Sequence, residues 1–225
     1  MAWSEWIRTV EIEPSLYAAD FANLGEQIDV LLRTGARVFH FDVGDGHFVE
    51  PITFGPIVLQ AISPRVHAMG GVLDCHLMVD NPTRHFRQIA RAGGNSVTFH
   101  YEAVDDVPAT IAVAREHGLQ VGVAFKPDTA PEDVAKVAGD ADLVLCMSIQ
   151  PGYSGQEFMD GALERIARTR AALPDTIQVQ VDGGIDNDNV RAVYDAGATL
   201  IVAGSSIFQR EDLQRSYRRL VQALA

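Results

Sequence analysis

Short apolar runs alternate with amphipathic stretches from one end of the chain to the other. The runs begin near Glu11, Val38, Val72, Ser96, Gln120, Asp142, Ile177 and Thr199, about 27 residues apart on average. Between them lie segments with helical patterning, among them Ala19–Arg33, Thr83–Ala92, Val107–His117, Ala162–Leu173 and Asn189–Ala196. Several close on glycine, as in Thr34-Gly35-Ala36, Ala92-Gly93-Gly94, His117-Gly118-Leu119 and Ala196-Gly197-Ala198. A glycine just past the last turn takes the left-handed conformation that ends a helix. Asp20, Asn81 and Asp188 stand where N-caps are expected. Eight such units with apolar strands predict an α/β fold, a parallel sheet covered by helices. The spacing favours a closed (β/α)8 TIM barrel, and periodicity alone leaves an open doubly wound sheet as the alternative. No shift in composition marks a boundary, so residues 1–225 are expected to form a single barrel domain, with 1–10 a short N-terminal extension.

Composition narrows the class. The 225 residues carry 18 Lys+Arg against 30 Asp+Glu, a formal net charge of −12, which counts against a nucleic-acid-binding surface. Cys75 and Cys146 each sit in an apolar run, so neither a disulfide framework nor a cysteine zinc site is indicated. Residues 1–9 lack the apolar core of a signal peptide. No stretch approaches the roughly 18 apolar residues that span a bilayer. The expectation is a cytoplasmic protein with no membrane partner.

Barrel enzymes work at the C-terminal ends of their strands. The second strand reads Val38-Phe39-His40-Phe41-Asp42-Val43-Gly44. Alternation sends the two phenyl rings outward beneath the helices and His40, Asp42 and Gly44 inward. The same rule turns His76 inward beside Met78, and Asp182 inward at the end of the seventh strand. Two imidazoles and two carboxylates at one mouth make a candidate site for one divalent cation; zinc, iron(II), manganese and cobalt all suit it. Separately hydrogen-bonded rim residues are the plainer alternative. His100 also points inward, for contact or for packing. Lys126, at the end of the fifth strand, offers a Schiff-base amine or an ordinary rim charge. Glycines gather after the last three strands, in Gly152-Tyr153-Ser154-Gly155, Gly183-Gly184 and Gly204-Ser205. Backbone amides there can approach a phosphate without interference from Cβ, although tight turns also need glycine.

Read together, Pro14-Ser15-Leu16, Ala19-Asp20-Phe21, His40-Phe41-Asp42, Asp45-Gly46-His47-Phe48-Val49, Thr53-Phe54-Gly55-Pro56, His76-Leu77-Met78-Val79, Pro151-Gly152-Tyr153-Ser154-Gly155-Gln156 and Val181-Asp182-Gly183-Gly184-Ile185 resemble the ribulose-phosphate 3-epimerase family. The resemblance runs from about Glu11 to the C-terminus. It implies a metal-dependent epimerase that interconverts D-ribulose 5-phosphate and D-xylulose 5-phosphate by two-base proton transfer through an enediolate. It also implies that His40, Asp42, His76 and Asp182 hold one divalent metal cation, with Asp42 and Asp182 as the acid/base pair. The implied substrate contacts are Ser15, His76, Gly152, Tyr153, Ser154, Gly155, Asp182, Gly183, Gly184, Gly204 and Ser205. The expected partners are a phosphorylated ketose and, in a homo-oligomer, copies of the same chain. Gly44 departs from the methionine usual in the family, Gln150 and Ser154 from its usual asparagine and glycine or alanine, and Tyr17 from an aliphatic residue. A missing side chain at Gly44 predicts extra volume beside the metal and better use of six-carbon ketose phosphates. An epimerase of a related sugar such as D-allulose 6-phosphate, and a non-catalytic sugar-phosphate-binding barrel, are the alternatives.

Overall fold

The computed structural model describes Trp3 and residues 9–224. Strands and helices alternate as β1 (Glu11–Pro14), α1 (Leu24–Thr34), β2 (Val38–Gly44), α2 (Pro56–Ala68), β3 (Val72–Met78), α3 (Thr83–Ala92), β4 (Ser96–His100) and α4 (Val107–Glu116). They continue as β5 (Gln120–Phe125), α5 (Pro131–Ala135), β6 (Leu143–Met147), α6 (Ala162–Ala172), β7 (Gln178–Asp182), α7 (Val190–Asp195) and β8 (Leu200–Ala203). A short α8 (Ser205–Phe208) and α9 (Leu213–Ala223) follow. Neighbouring strands pair in parallel from β2 to β8, and β8 pairs with β1. A parallel bridge between Ser15 and His40 brings β1 against β2. The sheet therefore curls round to meet itself as a (β/α)8 TIM barrel, and the open-sheet alternative falls.

Three of the strands start one residue later than the apolar pattern predicts, at Leu143, Gln178 and Leu200, within the usual uncertainty of element ends. The first helix departs further, because it begins only at Leu24. Asp20 folds the chain into a side-chain-stabilised turn instead of capping: its carboxylate accepts from the Ala22 amide at 3.0 Å and from Asn23 Nδ2 at 2.7 Å. The N-cap is Asn23. Asn81 and Asp188 are likewise displaced as caps by Pro82 and Asn189. Side-chain capping occurs at Asp106 and Asp212, which accept from the Ala109 and Arg215 amides.

Strand alternation divides the core into two shells. Phe39, Phe41, Leu73, Cys75, Leu77, Phe99, Val123 and Val181 face outward and pack with helix residues such as Leu31, Leu59, Phe86, Ile111 and Ile166. Each fully buried Leu or Phe in this shell contributes about 1.5–3 kcal/mol. The inner shell is tiered. Its floor is apolar, with Trp3 buried against Val38, Val72, Leu143 and Leu200. Apart from Trp3, Thr9 and Val10, the expected 1–10 extension lies outside the described residues. Above the floor the barrel turns polar, through Glu13, His40, Asp74, Thr98 and Gln180, all buried. The top tier opens to the mouth. No helix among the described residues is long and apolar enough to cross a membrane.

Candidate active site

The β2–β3 register sets His40 beside Asp74 and Asp42 beside His76. With Asp182 at the end of β7, this gathers four ligand-type atoms within 4.8 Å of one another. His40 Nε2 lies 3.3 Å from Asp42 Oδ1 and 3.9 Å from Asp182 Oδ2. His76 Nδ1 lies 3.0 Å and 3.9 Å from the same two oxygens. Ligands bound about 2.0–2.2 Å from one ion stand about 3–4 Å from each other, so the spacing fits a single small cation. His40 Nε2 is buried and makes no hydrogen bond among the described residues. Its other nitrogen, Nδ1, faces Asp74 Oδ2 at 3.2 Å and donates to it. A ring nitrogen left free toward the cluster with a carboxylate behind the ring is how proteins orient a metal-binding imidazole. The residues present fit a divalent metal.

The support beneath is extensive. Asp74 also accepts from Ser96 Oγ at 2.6 Å and from Gln180 Nε2 at 2.7 Å. The same Gln180 amide donates to Glu13 Oε2 at 2.8 Å. Ser15 Oγ donates to Asp42 Oδ2 at 2.7 Å. Sequence reasoning singled out neither Glu13, Asp74, Ser96 nor Gln180. The signal was available in part, as inward polar residues one alternation below His76 and Asp182.

Electrostatics separate the two aspartates. Burial raises the Asp42 pKa, but the charge of His40 beside it and the hydrogen bond of His76 outweigh it and hold the group far below the carboxylate range. At Asp182 burial and then the charge of Asp42 push the pKa up to about 6. Burial lowers the His40 pKa, but Asp42, Asp74 and Glu13 overcome it and raise it well above its ordinary value. His40 thus holds its proton tightly beside Asp42 and Asp74, and a bound divalent cation would displace it.

Above the cluster lies a pocket. Every residue implied as a substrate contact lines it except His76, which is buried in its floor: Ser15, the Gly152–Gly155 loop, Asp182 to Gly184, Gly204 and Ser205. Asp42 also reaches it, and Tyr17, Met78, Met147, Ile149, Ile185 and Val202 complete the wall. Tyr153 reaches across the mouth and donates to Glu50 Oε2 at 2.9 Å. Gly184 has a left-handed φ of 66°, and a Cβ there would stand 2.4 Å from the Phe158 amide nitrogen. Glycine at this position is required by the turn itself, independently of any anion.

One expectation is corrected and one alternative falls. Gly44 leaves no extra room beside the cluster, because the chain after β2 folds back over it. A Cβ on Gly44 would meet the Pro51 carbonyl oxygen at 2.8 Å and Val49 Cγ2 at 3.0 Å. Lys126 does not line the pocket, which removes the Schiff-base reading; its Nζ sits 4.0 Å over the Phe48 ring, and that ring packs on His100.

A parallel barrel with a metal-fitting carboxylate–histidine cluster beneath glycine-rich loops defines a class of barrel enzymes. At the level of fold, 3-hexulose-6-phosphate synthase from Salmonella typhimurium is similar with a TM-score of 0.71, covering 95% of this chain and 98% of that one at 18% identity. Sequence goes further. The profile of the ribulose-phosphate 3-epimerase family matches residues 11–208. The ribulose-phosphate 3-epimerase of Serratia marcescens is 39% identical over 91% of this chain and 98% of its own. That of Schizosaccharomyces pombe is 41% identical over 89% of this chain and 88% of its own. The chain belongs to the ribulose-phosphate 3-epimerase family, and it is an enzyme, an isomerase acting on a sugar phosphate.

Proposed function

We infer that this enzyme interconverts D-ribulose 5-phosphate and D-xylulose 5-phosphate with the help of one divalent cation. The observation that carries this reading is the convergence of His40 Nε2, Asp42, His76 Nδ1 and Asp182 at the floor of the glycine-walled pocket. Inverting the carbon beside a ketone requires removing its proton and returning one to the opposite face. Asp42 on β2 and Asp182 on β7 enter the pocket from different strands, which suits one to take the C3 proton and the other to deliver one. Ser15 steadies Asp42 through its hydroxyl. When bound, a cation held by the two histidines and two aspartates supplies positive charge against the oxygen charge of the enediolate. The ligand set does not choose among zinc, iron(II), manganese and cobalt. The amides of Gly152–Gly155, Gly183–Gly184 and Gly204–Ser205 suit the substrate phosphate, which explains how a chain of net charge −12 attracts a dianion. A cytoplasmic location and a homo-oligomeric state go with this proposal.

Gly44 was the argument for a six-carbon substrate, and the loop packed over it removes that argument. The test joins metal analysis to deuterium exchange at C3 in heavy water. One divalent ion per chain is expected, with wash-in lost in His76→Ala. Full exchange by rigorously metal-stripped protein overturns the metal reading, and bound sugar phosphate without exchange makes the barrel a binder.

A further inference from the structure

A second polar chain starts where the cluster ends. The outer nitrogen of His76, Nε2, lies 2.9 Å from Nε2 of His100. His100 is fully buried, with its ring 4.8 Å from Phe48 and 5.0 Å from His76. Its Nδ1 is 3.3 Å from Glu102 Oε2. Glu102 Oε1 accepts from the Lys126 amide at 2.8 Å and from Thr129 Oγ1. The end of β4 and the turn after it thus connect a cluster histidine to the loop beyond β5.

Two imidazoles that meet nitrogen to nitrogen leave little freedom, since one must donate and the other accept. With a cation in place of the 3.0 Å hydrogen bond between His76 Nδ1 and Asp42 Oδ1, the carboxylate at the far end decides which. Ionised Glu102 only accepts, so His100 carries its proton on Nδ1. Nε2 of His100 is then a lone pair, and His76 presents an N–H from its own Nε2. That leaves the His76 lone pair on Nδ1, the atom that faces Asp42 and Asp182. We propose that Glu102 and His100 are positioning residues that set the tautomer of His76 and ready its Nδ1 for the cation. This rests on the metal reading above. The two imidazoles of the cluster are oriented by different means: Asp74 holds His40 directly, whereas Glu102 acts on His76 through an intervening ring.

Glu102→Gln reverses the chain. The Lys126 amide and Thr129 hydroxyl still need an acceptor at Oε1, so the new amide nitrogen turns to His100 Nδ1 and donates. His100→Phe removes the acceptor while keeping a ring, and His100→Gln restores an acceptor near the place of Nε2. Zinc affinity, measured by competition with a chelator, is expected to fall about 10–100-fold in Glu102→Gln and His100→Phe. His100→Gln should recover most of the loss, which a merely space-filling role does not explain. Long-range 1H–15N spectra of the zinc-loaded wild type should place the His100 proton on Nδ1. A proton on Nε2, or unchanged zinc affinity in both folded variants, overturns the relay. Should the variants fail to fold, the wild-type spectrum decides. A wild-type chain that takes up no zinc overturns the metal reading and the relay with it, whereas a zinc-binding wild type with indifferent variants overturns the relay alone.

Discussion

Adding a side chain at Gly44 separates two accounts of the pocket. If the glycine marks free space, methionine there should fill it and sharpen preference for five-carbon sugars. The packing says otherwise. A Cβ would lie 2.8 Å from the Pro51 carbonyl oxygen, 3.0 Å from Val49 Cγ2 and 3.2 Å from Thr53 Cγ2. One of those is backbone and cannot rotate away, so the loop must move. Overpacking of this kind costs about 1–3 kcal/mol. Moving the loop also strains the bond from the Gly44 amide to Thr53 Oγ1 at 2.7 Å and that from the Thr53 amide to the Gly44 carbonyl at 3.2 Å. Each is worth about 1 kcal/mol. Gly44→Ala is therefore expected to lose about 1–3 kcal/mol, and Gly44→Met about 3–5 kcal/mol. Urea denaturation followed by circular dichroism measures the loss, and kcat/KM on five- and six-carbon ketose phosphates measures selectivity. A Gly44→Met protein as stable as wild type, with selectivity shifted toward the five-carbon sugar, would refute the packing argument.

Asp42→Asn and Asp182→Asn should each lower turnover by at least about 10²-fold; metal content must be followed in both, and a variant that keeps metal and near-normal turnover removes that aspartate from proton transfer. Gly204→Val should raise KM for the phosphorylated sugar, because a Cβ there already approaches Ala18 Cβ at 3.3 Å and Ser154 Oγ at 3.4 Å beside the pocket; an unchanged KM would move the phosphate elsewhere. At Glu102 burial raises the pKa, but hydrogen bonds from His100, Thr129 and the Lys126 amide bring it down to about 2 from an ordinary 4.5. Its ionised form is thus favoured by folding: the stabilisation is whole above pH 4.5 and drains away as pH falls toward about 2. The stability gap between wild type and Glu102→Gln should therefore be widest near neutrality and close on acidification. A gap that widens in acid contradicts the sign.

The strands and the inward set at their ends were legible because alternation is a local rule: Phe39 and Phe41 outside forces His40 and Asp42 inside. What was not legible depends on register between distant segments. Glu13 and Gln180 are 167 residues apart and meet only because the barrel closes between β1 and β8. Gly44 misled for the same reason, since the atoms that occupy its space come from a loop whose fold-back no strand pattern encodes. Asp20 looked like a cap because its side chain does hold a backbone amide, that of Ala22, but in a turn that comes before the helix.

The polar middle tier has a consequence for how such a barrel can change. The cluster atoms point up at the loops of the mouth, whereas Asp74, backed by Gln180 and Glu13, holds His40 from below, away from the pocket. Rim and foundation are therefore separable parts. Loops can be swapped to accept a new sugar while the proton chemistry is kept. The foundation can be retuned by paired exchanges, such as moving the carboxylate from Glu13 to the place of Gln180, while the rim is kept. A single exchange in that tier strands a buried charge or an unmet hydrogen bond; two made together need strand neither.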